Sequence, residues 1–198
     1  MNENFVYRYG DNLYINLTNK CCNACDFCIR NNGDGIGDSG NLWLSREPSA
    51  SEVCALIDTF GDYNEIVFCG YGEPIYKLEE IKEISEYLHK HGKRVRLNTN
   101  GQGDLIHGES VAKKLAGYID IVSISLNAAS AKAYQEVCHS EFGEKAFYSL
   151  LNFAKEAKEY VPSVKLSLVD VVGEEEIKKA KELCDSLGID LRVRAYIS

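Results

Sequence analysis

Short apolar runs alternate with longer amphipathic ones along most of this chain. Leu13–Leu17, Glu65–Cys69, Arg94–Asn98, Ile119–Leu126, Val164–Val169 and Leu191–Tyr196 have the length and the branched content of strands. Between them, Leu78, Ile81, Ile84 and Leu88 keep helical spacing ahead of Gly92. Phe147, Leu150, Leu151 and Ala154 do the same, as do Ile177, Ala180, Leu183, Cys184 and Leu187 before Gly188. Strand–helix alternation predicts parallel strands joined by right-handed crossovers. Polar residues gather just past the strand ends: Thr18 and Asn19, Gly72 and Glu73, Asn98 to Asn100, Ser125 and Asn127, Asp170, Tyr196. A barrel collects such ends at one mouth, whereas a doubly wound sheet concentrates its site at one switch point. The expected fold is α/β, an incomplete parallel barrel, because 198 residues fall short of the roughly 250 of a full eight-unit barrel.

Side-chain parity sharpens this expectation. Leu13, Ile15 and Leu17 share one face of their strand, and Tyr14, Asn16 and Thr18 the other. Val122, Ile124 and Leu126 oppose Ile121, Ser123, Ser125 and Asn127. Helices must cover the apolar faces, so the polar faces turn inward and the lumen is partly polar. Arg94, Arg96 and Asn98 then point inward on the third strand, Lys165 and Ser167 on the fifth, and Arg192, Arg194 and Tyr196 on the sixth. Arg96 or Arg194, with Asn98 nearby, is the expected anchor for an anionic substrate.

Composition is that of a globular protein, 45% hydrophobic and 26% charged. No apolar run is long enough to span a bilayer, and the N-terminus lacks the basic start and apolar core of a signal peptide. A cytoplasmic location is expected, with no membrane partner. There thiols stay reduced, and clustered cysteines point to metal or redox chemistry. A net charge of −8 argues against general nucleic-acid binding.

Four of the eight cysteines lie between Cys21 and Cys28. Cys21, Cys25 and Cys28 read C-x3-C-x2-C, with Phe27 before the last and Cys22 as an extra member. A zinc clip needs four ligands, and no second pair exists; Cys54, Cys69, Cys138 and Cys184 are isolated. A thioredoxin-like pair, Cys22 and Cys25, leaves Cys21 and Cys28 unexplained. Ferredoxins supply four thiolates per cluster. Three would leave one iron open, as a catalytic metal requires.

C-x3-C-x-aromatic-C after a first strand resembles the radical S-adenosylmethionine (SAM) superfamily. "CGYGEP", Cys69 to Pro74, is similar to that superfamily's G-G-E-P, with Tyr71 in place of the first Gly. "SISLNA", Ser123 to Ala128, falls where the fourth strand presents ribose contacts. "VDVVGEEE", Val169 to Glu176, resembles G-x-I-x-G-x-x-E, with Val169 in place of the first Gly. With "YINLTNKCCNACDFCIR" and "VRLNTNGQGDLIHG", these stretches most resemble the short radical SAM proteins associated with TatD-type hydrolases, from which Cys22 is a departure.

The resemblance implies a single core domain over 1–198, an incomplete (β/α)6 barrel of radical SAM type with no auxiliary-cluster domain. It implies a 4Fe–4S cluster on Cys21, Cys25 and Cys28, and SAM cleaved to a 5′-deoxyadenosyl radical that takes hydrogen from a small molecule or a modified biomolecule. Glu73, with the backbone of Tyr71 and Gly72, would receive the methionyl ammonium, and Pro74 would fix their turn. Ser125 and Asn127 would bond the ribose. Val171 and Gly173 would line the adenine, and Phe27 would shield the cluster. An electron donor such as flavodoxin or ferredoxin and a functional link to a TatD-type hydrolase complete the implied partners. The alternatives are a glycyl-radical activase and a non-catalytic iron–sulfur electron carrier.

Other signals weigh less. Gly35-x-Gly37-x-x-Gly40 lacks a preceding strand and carries Asp34 and Asp38, so it reads as a mobile loop over the cluster. His89 and His91 close a helix, and His107 and His139 read as surface loop residues. Cys54, Cys138 and Cys184 read as small core residues, and Trp43 as a packing anchor.

Overall fold

A computed structural model describes residues 3–196. Seven strands form one sheet in strictly sequential order: β1 (Val6–Tyr9), β2 (Asn12–Ile15), β3 (Ile66–Phe68), β4 (Val95–Thr99), β5 (Ile121–Ser125), β6 (Ser163–Val169) and β7 (Asp190–Arg194). β2 to β7 are parallel throughout. A doubly wound sheet reverses its strand order at a switch point. This order never reverses, so same-handed crossovers place every helix on one side and the sheet curls around the other. β1 and β7 do not pair, and the barrel stays open.

β1 lay outside the sequence expectation. It pairs antiparallel with β2 through a tight hairpin whose Gly10 has φ +57°, a conformation glycine adopts without cost. The crossovers carry α1 (Ala50–Ile57), α2 (Leu78–Lys90), α3 (Gly103–His107), α4 (Ala131–Cys138), α5 (Lys145–Tyr160) and α6 (Glu174–Leu187). Of these, α2, α5 and α6 carry the clear helical spacing. The short α1 owes its start to a capping box, in which Ser49 and Glu52 each satisfy the other's backbone N–H.

Parity along the strands decides what faces what. Leu13, Ile15, Ile66, Phe68, Val95, Leu97, Val122, Ile124, Leu166 and Leu168 are fully buried in one core with Ile81, Ile84, Leu88, Leu150 and Phe153 of the helices. The opposite faces line the lumen. Tyr14, Val67, Arg96, Ile121 and Ser163 stand at one level of the register. Tyr7 stacks on Tyr14, ring centroids 5.4 Å apart, and with Leu42 and Tyr71 closes the β1–β2 side of the lumen.

Candidate functional site

The cysteine loop leaves β2 at the C-terminal mouth and is held at both ends. At its start, the G-Y-G-E-P turn after β3 lies against it. A Cβ on Gly70 would sit 2.0 Å from Asn16 Oδ1, and one on Gly72 would sit 2.3 Å from the Thr18 carbonyl oxygen. Glycine at both positions is the condition for this contact. The Glu73 N–H closes it by donating to Lys20 O at 2.8 Å. Further on, the loop docks on the end of α4. Ala24 N–H donates to Cys138 O, Asp26 N–H to Val137 O, and Glu141 N–H to Cys22 O.

Within the loop the four thiols separate. Cys21, Cys25 and Cys28 are half-buried, and Cys22 is buried. The Cys22 sulfur turns into a polar network, where Asn100 Nδ2 donates to it at 3.1 Å and Gln102 Oε1 lies 3.5 Å away. Gln102 also donates to Asn23 Oδ1 and to the Tyr134 hydroxyl, and Asn23 donates to the same hydroxyl. Burial pushes the Cys21 and Cys22 thiols up to about 12 and raises Cys28 as well. Cys25 is raised first by a hydrogen bond with Cys138 and then by burial. All four therefore carry protons at neutral pH, and metal binding has to displace them.

Cys138 is a core residue, as expected, and also meets the cysteine loop. It is buried at the end of α4, Asn127 Nδ2 lies 3.6 Å from its sulfur, and it neighbours Cys25. Cys25 and Cys138 are 113 residues apart, and nothing local in the sequence signals their meeting.

The remaining candidates sit around the same mouth. Glu73 is buried, where a solvated turn carboxylate would not be. Its Oε1 accepts from Thr99 Oγ1 at 2.8 Å and from Ile75 N, and its Oε2 accepts from Asn100 N at 2.7 Å. Burial outweighs these three donors and pushes its carboxyl up to about 7. Pro74 opens the 3-10 turn Pro74–Lys77 that follows. Asn127 adopts a left-handed φ of 55°, and its buried Oδ1 has no partner. Ser130, not Ser125 or Asn127, caps α4, so capping explains neither residue. Val171 is 50% exposed on the short turn after β6. Gly173, at φ +85°, leads into α6, and Glu176 of that helix accepts from Ala129 N at 2.7 Å, tying the β5 and β6 loops together. Phe27 packs on the main core.

Some expectations change. The 31–41 loop is not free: Tyr71 Oη donates to Gly33 O, Leu42 N to Asp34 O, and Ile36 N to Ser39 Oγ. Trp43 is 41% exposed, with its edge on Tyr71. His107 ends α3 and lies 2.8 Å from Ile75 O; His139 ends α4 in a left-handed conformation beside Asp26. His107 is thus a half-buried helix residue, while His139 is exposed just past α4, as expected. The two inward arginines also diverge. Arg96 and Arg194 both bury an Nε that makes no well-formed hydrogen bond, but Arg96 Nε has Glu65 Oε2 at ion-pair distance, 3.1 Å, and among the described residues Arg194 has no ion pair.

Residues 15–187 match the family profile described as the radical SAM superfamily.

The chain belongs to the radical SAM superfamily.

An uncharacterized protein of Methanocaldococcus jannaschii is 29% identical over 156 residues, 78% of this chain and 46% of that protein. The chain thus spans about half the length of that relative. A radical SAM methyltransferase from Sphaerobacter thermophilus superposes with a TM-score of 0.62 at 16% identity, covering 96% of this chain and 68% of that one. Streptococcus suis SuiB bound to S-adenosylmethionine superposes at 0.65 and 18% identity, over 93% of this chain and 38% of that one. These similarities show the partial barrel. Membership implies SAM cleavage and radical chemistry, with SAM and an iron–sulfur cluster as cofactors. The donor set of the loop suits such a pair, while among the described residues no three His, Cys, Asp or Glu side chains are already grouped for a metal ion. Three thiols of one loop remain at the mouth once Cys22 is committed to the interior, and the orphaned Asn127 Oδ1 offers a buried acceptor beside them. Among the described residues, no helix is long and apolar enough to cross a membrane.

Proposed function

We propose that this chain is a radical SAM enzyme in which Cys21, Cys25 and Cys28 hold a 4Fe–4S cluster and the barrel mouth binds SAM. The observation that carries the reading is the division within the loop, with three half-buried thiols and the fourth, Cys22, buried against Asn100 and Gln102. When bound, the cluster and SAM together supply a 5′-deoxyadenosyl radical able to take a hydrogen atom from a substrate. The chain's own part is placement. Gly70 and Gly72 let the turn after β3 lie on the loop, so that the Tyr71–Gly72 backbone and Glu73 face the methionyl end. Asn127 and Ser125 meet the ribose, and Val171 and Gly173 border the adenine. Phe27 keeps water from the loop. An external electron donor such as flavodoxin or ferredoxin and a TatD-type hydrolase as functional partner belong to the same proposal.

Anaerobic reconstitution tests it. The wild-type chain should take up about four irons and release 5′-deoxyadenosine from SAM when dithionite is added. Cys21→Ala, Cys25→Ala and Cys28→Ala should each lose the cluster absorbance, while Cys22→Ala keeps it. Normal iron content in all three ligand variants would refute the assignment, and loss in Cys22→Ala would move the first ligand position to Cys22.

A further inference from the structure

The lumen face is basic in a chain of net charge −8. Arg96, Lys165, Arg192 and Arg194 project from it by parity, against Glu65 and Asp190. Asp190 stands beside Lys165 in the register, and Glu65 stands against Arg96 at 3.1 Å. Arg192 is exposed to solvent, where a lone cation costs little. Arg194 is different. It lies at the C-terminal end of β7, level with Val169. Its Nε is buried and makes no hydrogen bond. Asp170, which follows Val169 in the chain, uses Oδ1 to accept from Tyr196 N. The ionisable groups that act most on Arg194 are Cys69, Arg192, Tyr14 and Arg96, none of them a carboxylate. Three of these stand across the lumen from β7: Tyr14 on β2, Arg96 on β4 and Cys69 just past β3; Arg192 is on β7 itself. The guanidinium therefore points inward, and burial lowers its pKa. Asn98 adds a second unanswered group on the same face, since its Oδ1 is buried without a donor.

Arg194 is half-buried, and a partly desolvated cation without a counter-charge still carries a cost. A fold keeps one when a ligand supplies the missing charge, and a guanidinium fork fits the oxygens of a carboxylate or a phosphate. We propose that Arg194 anchors an anionic substrate, bearing a carboxylate or phosphoryl group, inside the barrel beside Cys69 and Asn98. Arg96 is the lesser contributor because Glu65 already neutralises it. The inference rests on the radical SAM reading and names the substrate class of that site.

The test uses the full chain, reconstituted anaerobically and saturated with SAM, with inorganic phosphate and malonate as probes in thermal melts. Sodium chloride at matched ionic strength is the control. At least one probe should raise the wild-type melting temperature beyond chloride. Arg194→Gln should weaken the apparent affinity by about tenfold or more, which is about 1.4 kcal/mol, and Arg194→Lys should recover part of it. Without probe, Arg194→Gln should melt no lower than wild type, because no native partner is lost. A response to phosphate alone assigns a phosphoryl group, and to malonate alone a carboxylate. The proposal is overturned if neither probe acts, or if Arg194→Gln responds like wild type. It is equally overturned if Arg194→Gln weakens SAM binding itself, which would assign the guanidinium to the SAM carboxylate. Wild-type iron content and 5′-deoxyadenosine release decide the underlying reading separately.

Discussion

Glu73 has three hydrogen-bond donors around its carboxylate, and each favours the ionised form. Loss of hydration still wins and lifts its pKa from 4.5 to about 7. The folded chain thus keeps a proton that the unfolded chain has released. The stabilisation is complete below pH 4.5 and is lost as pH rises towards 7, because the native state binds more protons across that window. A rise of this size is worth about 3 kcal/mol. Urea unfolding of the chain before reconstitution should therefore show stability falling with pH in that window. Glu73→Gln, which cannot titrate, should flatten the slope, and an unchanged slope would remove Glu73 as its source. The position of Glu73 in its turn was legible in the sequence. Its burial was not, because the Thr99 and Asn100 groups that enclose it come from the end of another strand.

Among the elements, α1 and α4 show two different dependences. α1 is only eight residues long, and its start rests on the Ser49–Glu52 box. Ser49→Ala should cost about 1 kcal/mol, a drop of about 2–4 °C in melting temperature for a chain of this size, with iron uptake unchanged. Iron loss in this variant would contradict the separation of α1 from the site. α4 instead carries the cysteine loop. Its Tyr134 hydroxyl accepts from Asn23 Nδ2 at 3.0 Å and Gln102 Nε2 at 2.9 Å. Tyr134→Phe leaves the Asn23 amide without this acceptor, at about 1–3 kcal/mol, while Gln102 Nε2 keeps Asn23 Oδ1. Iron per chain should fall after reconstitution and desalting while far-ultraviolet circular dichroism stays at the wild-type level. Full iron retention would show that the loop holds its form without α4.

At the scale of the molecule, the sheet separates two chemistries. Its outer face is aliphatic and covered by helices, and its inner face carries the aromatic plug of Tyr7 and Tyr14 on one side and arginines on the other. The parallel run from β2 to β7 puts the C-terminal ends of those six strands at one mouth. A loop after β2, a turn after β3 and a helix after β5 can therefore converge on one site although more than a hundred residues separate them. Helices such as α2 and α6 carry runs of glutamates away from the lumen. Net charge alone gives no sign of the basic lumen.

Periodicity and spacing, which are local, were determined by the sequence. Side chains two apart on a strand must share a face, so the inward set that includes Asn98, Arg96 and Arg194 and the outward aliphatic set could both be read directly. The cysteine spacing and the G-Y-G-E-P turn identified the chemistry for the same reason. Tertiary structure decided what depends on distant partners. β1 contributes only four residues and acquires its role by pairing with β2. Cys22 turns inward because Asn100 and Gln102 meet it there, and Cys138 neighbours Cys25 only through the docking of α4. Arg96 and Arg194 share one parity, yet Glu65 reaches only Arg96, because the curl of the sheet brings β7 across the lumen and leaves its last arginine without a carboxylate. Alternation sets the face a charge points to; only packing sets whether a counter-charge waits there.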